Sequence, residues 1–138
     1  MNSASNRAQE RGQIRTLLGR LCRFHLWEPN SFGMHKAMLH EDALREHGPG
    51  IKRAYTYKAL NKLIQGSAAD MTKKAMLELY KEGILAHIQI HDELDLSVES
   101  DAQAKKIIEI MENAVSLEVP NKVDYETGKT WGDIYDKD

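Results

Sequence analysis

The chain has 138 residues, of which 41% are hydrophobic and 29% charged, so it is long enough for one folded domain with a buried core. This is the composition of a soluble globular protein, and no apolar run approaches the length of a membrane span. The single cysteine, Cys22, excludes an intrachain disulfide and favours a reducing compartment, and the polar start MNSASNRAQERG is not a secretory signal.

The net charge of −2 conceals an asymmetry between the two halves of the chain. Residues 1–66 carry eleven Lys or Arg and five Asp or Glu, a net charge of +6, whereas residues 67–138 carry eight Lys and sixteen Asp or Glu, a net charge of −8. A basic half could follow a phosphate backbone, and an acidic half could collect divalent cations. An ordinary solvated surface explains such a split as well.

The first predicted elements are a helix that ends at Gly12 and a hairpin over Gln13–Phe24. The hairpin has two apolar runs about Gly19, and Arg15, Arg20 and Arg23 are expected to project from it. The planar guanidinium fork suits phosphate groups, although ordinary surface arginines are the alternative. Residues 25–50 are expected to form a variable loop with a short helix over Met34–His47.

The segment Ile51–Glu82 is predicted to be one long helix closed by Gly83, because its apolar residues recur at roughly helical period. Gly66 lies in its middle and is expected to mark a bend or the close approach of another backbone. Asn61 and Gln65 are four residues apart and share a helix face. Two such amides could bind the groove edges of a duplex, but spacing alone favours an exposed polar stripe.

The stretch Ile84–Val98 alternates apolar and polar residues on both sides of a polar break, which predicts a second hairpin. The break carries His91, Asp92 and Glu93 without a Gly or Asn to ease the turn. A carboxylate at the tip of a costly turn could hold a metal ion, although a solvated acidic turn is the commoner explanation for so short a motif.

The C-terminal part is predicted to contain a third helix after Ser100, with a capping box to Gln103, then a last strand over Val119–Tyr125 and a turn-rich tail over Thr127–Asp138. The order of elements predicts an α+β fold. We expect an antiparallel sheet whose hairpin carries the His-Asp-Glu sequence, covered by the long helix and by the second, C-terminal helix.

The sequence Asn61–Asp70, NKLIQGSAAD, followed by Ile88–Leu94, IQIHDEL, resembles the C-terminal part of family A DNA polymerases, the family of bacterial DNA polymerase I and its phage relatives. Thr16–Arg20, TLLGR, resembles the segment after the fingers of those enzymes, and the tail with Gly128 and Trp131 resembles their phage-type C-termini. The resemblance covers most of the chain from about residue 8 and is weakest over residues 25–50.

The resemblance implies a palm-type fold and a part in template-directed nucleotidyl transfer with two Mg²⁺ ions. It implies that Asp92 binds metal, that Glu93 is its acidic neighbour and that His91 lies near the primer terminus. It further implies primer–template contacts for the residues that match the family's DNA-binding positions: Gln65, Asn61 and Arg20, with Arg23 nearby. Where the family often has an arginine one turn before the asparagine, this chain has Tyr57, with Arg53 a turn earlier, which puts a groove contact there in doubt.

The resemblance also shows what a complete polymerase site would need beyond these residues. Two-metal chemistry requires a second carboxylate, which the family carries in an upstream DYSQIE-like motif that this chain lacks, and the triphosphate-binding fingers helix is missing too. Residues 1–138 are therefore expected to form a single partial polymerase domain, either a cloned fragment or the natural C-terminal subunit of a split polymerase. Its implied location is the cytoplasm of a bacterial or phage-infected cell.

Three functions remain in competition at this point. The first is a polymerase subunit that works with primer–template DNA, deoxynucleoside triphosphates and an N-terminal fragment carrying the fingers and the second catalytic aspartate. The second is a non-catalytic module that binds DNA or a replication protein, and the third, disfavoured for want of a second metal anchor, is a metal-dependent nuclease. An isolated chain of the first kind is expected to be inactive, to expose an apolar face and to form homo-oligomers.

Overall fold

The computed structural model describes residues 3–135, which divide into two compact units at the boundary between Asp70 and Met71. The helices and strands follow one another as α1 (Ser3–Arg11), β1 (Gln13–Arg15), β2 (Leu21–Arg23), β3 (Trp27–Pro29), α2 (His40–His47), β4 (Ile51–Arg53), α3 (Ala59–Lys81), β5 (Ile88–Ile90), β6 (Glu93–Asp95), α4 (Asp101–Asn113) and α5 (Gly132–Tyr135).

The first unit begins with the predicted helix and hairpin. Helix α1 is followed by Gly12, which has a φ of 67° and donates its N–H to the Ala8 carbonyl (2.9 Å). A glycine in this left-handed conformation is a common C-terminal cap of an α-helix. Strands β1 and β2 then pair antiparallel, with Ile14 opposite Cys22. The core of this unit consists of small and apolar side chains from α1, the hairpin and the start of α3: Ala4, Ala8, Ile14, Phe24 and Ala59, with Cys22 and Leu63 packed against them.

Residues 25–58 contain two strands and a helix. Strand β3 pairs antiparallel with β4, with Trp27 opposite Arg53. The Arg53 guanidinium lies 4.6 Å from the Trp27 ring centroid, and it donates to the carbonyls of Gln9 (3.2 Å) and Phe24 (3.0 Å). The short helix expected over Met34–His47 is correct only in its second half, because α2 begins at His40 and residues 34–39 are not helical.

The prediction of one helix over Ile51–Glu82 is wrong at its start. Residues Ile51–Arg53 form strand β4, a 3₁₀ turn follows at Thr56–Lys58, and α3 begins at Ala59. The segment has helical spacing, but its first residues gain cross-strand hydrogen bonds to β3, a partner more than twenty residues away. The C-terminal end is as expected, because Gly83 has a φ of 75° and closes the helix through its N–H bond to the Tyr80 carbonyl.

The second unit contains the C-terminal part of α3, the β5–β6 hairpin and α4. Helix α4 has the predicted N-cap, since the Ser100 hydroxyl accepts the Gln103 N–H (3.2 Å), and the Gln103 side chain reaches back to the Glu99 N–H (2.7 Å). Ala104 and Ile107 are its buried apolar residues. Lys106 binds Glu82 (2.8 Å) and thereby ties α4 to the end of α3.

The last predicted strand is wrong: residues 119–125 have no strand structure. Pro120 has no N–H to donate to a ladder, and the segment is instead attached by the Val123 N–H, which donates to the Glu112 carboxylate (2.9 Å). In the tail, Gly132–Tyr135 form the short α5 after a non-helical stretch, and residues 136–138 lie outside the described residues.

The predicted α+β class is confirmed, because helices are combined with small antiparallel sheets. Within residues 3–135 the strands form separate two-stranded ladders, β1–β2, β3–β4 and β5–β6, where the sequence predicted one sheet. The outer edge of β3 is bridged by Met38, which accepts the Trp27 N–H (2.7 Å) and donates to the Trp27 carbonyl (2.9 Å). No helix in this part of the chain combines the length and the apolar character needed to cross a membrane.

Candidate nucleic-acid and catalytic site

The loop between β1 and β2 is a tight turn that closes on itself. The Thr16 N–H donates to the Arg20 carbonyl (2.9 Å), and the Gly19 N–H donates to the Thr16 carbonyl (2.9 Å). The Thr16 hydroxyl also accepts the Arg20 N–H (3.0 Å). Gly19 has a φ of 87°, which a glycine adopts without the steric cost of a Cβ atom. This turn fixes the backbone from which the Arg20 side chain departs.

The same loop is bonded to one face of α3. The Leu17 N–H donates to the Ser67 hydroxyl (3.0 Å), and the Leu18 N–H donates to the Asp70 carboxylate (3.4 Å). The contact is close, because a Cβ atom at Gly66 would lie 2.8 Å from Cγ2 of Thr16. Gly66 therefore marks the close approach that the sequence suggested, and the approaching group is a side chain of the loop.

Arg20 is held by two groups of α3. Its Nε donates to Oδ1 of Asp70 (2.9 Å), and its Nη2 donates to the carbonyl of Gly66 (2.9 Å). The Asp70 side chain is 6% exposed, whereas the Arg20 side chain is 52% exposed. Burial by itself raises the pKa of Asp70, but hydrogen bonds from Thr16, Arg20 and Leu18 outweigh it, so the pKa lies below its ordinary value.

The two predicted amides, Asn61 and Gln65, are both exposed on α3. They lie one turn apart on α3, and Gln65 directly precedes Gly66, whose carbonyl accepts from Arg20, so the three predicted residues belong to one helix and the loop bonded to it. Arg23 is exposed as well, but it pairs with Gln13 at the opposite end of the hairpin from the loop. The structure thus separates it from the group around Arg20.

Tyr57, which stands where the family often has an arginine, is exposed in the structure. Tyr57 lies in the 3₁₀ turn before α3 and is 71% exposed. Arg53 does not substitute for an arginine at that position, because it lies in β4 and its guanidinium is occupied by Trp27 and two backbone carbonyls. The cation nearest to Tyr57 in sequence is Lys58, whose Nζ lies 5.6 Å from the Tyr57 ring centroid.

In the second unit, His91 and Asp92 form the two-residue turn of the β5–β6 hairpin, between the paired residues Ile90 and Glu93. Of the two turn residues only His91 has a positive φ, 51°, a conformation that costs a non-glycine residue about 1–3 kcal/mol. The Gln89 side-chain amide donates to the His91 carbonyl (2.6 Å) and supports the turn from within the hairpin. His91, Asp92 and Glu93 are all exposed.

A second carboxylate lies beside this turn. Asp95 is two residues after Glu93 on β6, so the two side chains share a face of the strand. Burial raises the pKa of Asp95, and the neighbouring Glu93 raises it further through charge repulsion and a side-chain hydrogen bond. Oδ2 of Asp95 is buried without a hydrogen-bond partner. The hairpin therefore holds one exposed aspartate at its tip and one half-buried aspartate with an unpartnered oxygen on its strand.

The residues of this chain fit one part of a magnesium site. Asp92 offers the carboxylate oxygens that Mg²⁺ prefers, and its exposure leaves them accessible. Among residues 3–135, however, no group of three or more His, Cys, Asp or Glu side chains is arranged to hold a metal ion. The described residues thus supply one ligand, and further ligands would have to come from other protein segments or from the nucleotide.

The sequence profile of DNA polymerase family A matches residues 1–133 of this chain. The chain belongs to DNA polymerase family A. Among curated proteins, this family A chain is 37% identical over 126 residues to a DNA-directed DNA polymerase of Pseudomonas phage M6, and 46% identical over 84 residues to DNA polymerase I of Bacillus caldotenax. These alignments cover 91% and 54% of the chain, but only 16% and 10% of the two relatives.

The fold of this family A chain is also that of a solved polymerase. It matches the POL domain of Pol1 from M. smegmatis, a structure described as a complex with DNA primer-template and dNTP, with a TM-score of 0.65 and 28% identity. The match covers 96% of this chain and 22% of that chain. Its mixed helices and small antiparallel sheets are therefore those of a polymerase domain, of which it corresponds to a minor part.

Sequence reasoning missed two residues of these sites, Asp70 and Asp95. Asp70 follows Leu63 by seven residues and Gly66 by four, which places a carboxylate on the inward face of the predicted helix. That position was a detectable signal, because a charged residue on a buried face requires a partner. Asp95 occupies a polar position of the second hairpin strand, so nothing in the sequence indicated its partial burial, which depends on the packing of that unit.

Proposed function

We propose that this chain is the C-terminal palm part of a template-directed DNA polymerase. In this proposal it contributes one metal-binding aspartate and a set of primer–template contacts, and it works together with a segment that supplies the fingers and the second catalytic carboxylate. Family membership supports the polymerase assignment, and the short share of each relative that the chain spans supports the need for a further segment.

The observation that carries the proposal is the exposed polar group of the first unit. Asn61 and Gln65 offer amide donors and acceptors from α3, and Arg20 offers guanidinium donors beside Gly66. Such groups suit the acceptor atoms of base edges and sugars in a duplex minor groove. The polymerase with the matching fold is described as a complex with DNA primer-template and dNTP, which supports the same partners for this chain.

The proposed catalytic contribution comes from the β5–β6 hairpin. Asp92 would hold metal at the exposed tip of the turn, and bound Mg²⁺ would supply charge neutralisation at the transferred phosphate and a more acidic primer 3′-hydroxyl. Glu93 follows Asp92 and pairs with Ile90, so its main role in this proposal is to shape the acidic environment. The strained His91 would project near the primer terminus and help to orient it.

The proposed protein partner is the upstream part of the polymerase, in the cytoplasm of a bacterial or phage-infected cell. Several large apolar side chains of the second unit are exposed, and a missing segment would cover them: Leu77, Tyr80, Leu85, Ile88, Ile90 and Val98. Exposed apolar surface of this kind marks interfaces. The isolated chain is proposed to form homo-oligomers through the same surface when the upstream segment is absent.

Primer extension tests this function. The purified chain is assayed with primer–template DNA, deoxynucleoside triphosphates and Mg²⁺, alone and together with a polypeptide that carries the fingers and the DYSQIE-like carboxylate. We expect no extension by the chain alone and extension by the pair.

Extension by the chain alone would contradict the need for a second segment. Duplex binding without extension, even with the added polypeptide, would instead identify a non-catalytic DNA-binding module of this fold. That alternative draws its support from the Asn61, Gln65 and Arg20 group, which does not depend on Asp92.

A further inference from the structure

We propose that Asp70 is the positioning residue that aims Arg20 at the DNA duplex. In this inference, the Asp70 carboxylate and the Gly66 carbonyl fix the plane of the guanidinium, so that its remaining N–H groups face outward from α3. The inference rests on the proposed function, because it concerns how the first unit presents a donor to primer–template DNA.

Two hydrogen bonds from different nitrogens define the orientation of a planar group. The Nε of Arg20 donates to Asp70 and its Nη2 donates to Gly66, each at 2.9 Å, and both acceptors lie on α3. An arginine side chain otherwise samples many rotamers, and ordering it on binding costs conformational entropy. Since α3 already orders the guanidinium in the free chain, that cost does not fall on DNA binding.

The difference in burial between Asp70 and Arg20 also supports the positioning role. Asp70 is 6% exposed and Arg20 is 52% exposed, so a duplex could touch the guanidinium but hardly the carboxylate. A buried carboxylate also stays away from the phosphates, which an exposed one would repel. Asp70 further accepts the N–H of Leu18 (3.4 Å), so one carboxylate holds both the arginine and the loop that carries it.

A purely structural ion pair would behave differently from a positioning pair. If Asp70 only stabilised the loop, its loss would lower stability, and the DNA contact of Arg20 would persist in the folded fraction. If Asp70 positions Arg20, its loss should weaken DNA binding only while Arg20 is present. A double-mutant cycle separates these cases, because coupled residues give non-additive effects.

The binding experiment measures the fluorescence anisotropy of a labelled primer–template duplex titrated with the full chain. We expect Arg20→Ala and Asp70→Asn each to weaken binding about tenfold, and the double variant to bind no more weakly than Arg20→Ala. The matched control is Glu78→Gln, which removes the same charge from α3 at a carboxylate that binds Lys74 and Lys81; its affinity should stay within about twofold of the original.

A second measurement needs no DNA. In a nitrogen-15 correlation spectrum of the full chain, the Arg20 Nε–H should give a protected cross-peak, because it is bonded to a buried carboxylate. The peak should lose its protection in Asp70→Asn and keep it in Glu78→Gln. If Asp70→Asn does not fold, Arg20→Lys replaces it: the charge is kept and the two-nitrogen fork is lost, so duplex affinity should fall as in Arg20→Ala.

The outcomes distinguish a failure of the Asp70 positioning role from a failure of the proposed function on which it rests. If the unaltered chain binds no duplex, the proposed DNA contact fails, and the Nε–H cross-peak still decides whether Asp70 holds Arg20. If the chain binds and Arg20→Ala weakens binding, but Asp70→Asn is neutral or the two effects add, the positioning role is overturned. Normal affinity of Arg20→Lys overturns it as well, since the fixed fork would then be unnecessary.

Discussion

The two hairpins that carry the candidate functional residues differ in what holds their turns. The β1–β2 loop is bonded to α3 of its own unit through Ser67 and Asp70. The β5–β6 turn is exposed and strained at His91, and its support comes from within the hairpin through Gln89. We infer that the direction of Arg20 is set by this chain, whereas the final placement of Asp92 depends on the surroundings that a complete polymerase would provide.

The two hairpins also differ in the hydrogen bonds and the pKa of a nearby aspartate. Beneath the first, Asp70 receives enough hydrogen bonds to overcome its burial, and its pKa is lowered. On the second, Asp95 is half-buried beside Glu93 with one buried oxygen unpartnered, and its pKa is raised. The carboxylate beside the first hairpin therefore has hydrogen-bond partners within its own unit, whereas one oxygen of Asp95 has none among the described residues.

The largest expected effect concerns the exposed turn. Asp92→Ala should reduce nucleotide incorporation by the chain together with its upstream polypeptide by about a thousandfold or more, because the lost charge acts mainly in the transition state. Glu93→Ala should do less harm. Steady-state incorporation is measured, and the control is Asp124→Ala, an exposed aspartate outside the hairpin. Near-normal turnover of Asp92→Ala would refute the catalytic assignment of this hairpin.

The next effect tests how tightly the first hairpin is docked. Gly66→Ala should destabilise the first unit by about 1 kcal/mol, because the clash with Thr16 outweighs the better helix propensity of alanine. Urea unfolding followed by Trp27 fluorescence in a Trp131→Phe background reports on this unit. Gly50→Ala is the control, since a Cβ there meets nothing within 4 Å. Equal stability of both variants would mean that the loop is not held closely.

A smaller effect should appear in acid. Because the pKa of Asp70 is lowered from 3.8, its contribution to stability is complete above that value and is lost as the pH falls through the lower pKa of the folded state. Because Arg20 is half exposed, solvent screens its ion pair with Asp70. We therefore expect the loss of stability in acid to be smaller than the loss caused by Gly66→Ala. The urea midpoint reported by Trp27 should hold down to about pH 4 and fall as the pH drops further below 3.8, and Asp70→Asn should flatten this fall.

The smallest expected effect has the opposite sign. Asp95→Asn should stabilise the second unit by a few tenths of a kcal/mol at neutral pH, because it removes a partly buried charge that Glu93 repels. Trp131 fluorescence in a Trp27→Phe background is the probe for this unit. Glu99→Gln, an exposed acidic residue after the hairpin, is the charge control. A loss of stability in Asp95→Asn would show that the carboxylate has a favourable partner.

Local chemistry in the sequence determined several elements by itself. The stop of α1 at Gly12, the cap of α4 at Ser100 and the alternation of both hairpins depend on residues within a few positions of one another. The same is true of the His91-Asp92 turn, where the lack of a Gly or Asn predicted a costly conformation that the positive φ of His91 displays. The motifs around Gln65 and Asp92 were also sufficient to recognise the family that the comparison confirmed.

Only the tertiary structure decided features that depend on distant partners. Ile51–Arg53 form a strand because β3 pairs with them. Val119–Tyr125 form none, because Pro120 has no N–H to donate and the Val123 N–H donates to Glu112 instead of to a strand. The role of Asp70 is of the same kind, since the groups it binds lie about fifty residues earlier in the chain. Such partners are brought together by packing, and no local pattern encodes the distance between them.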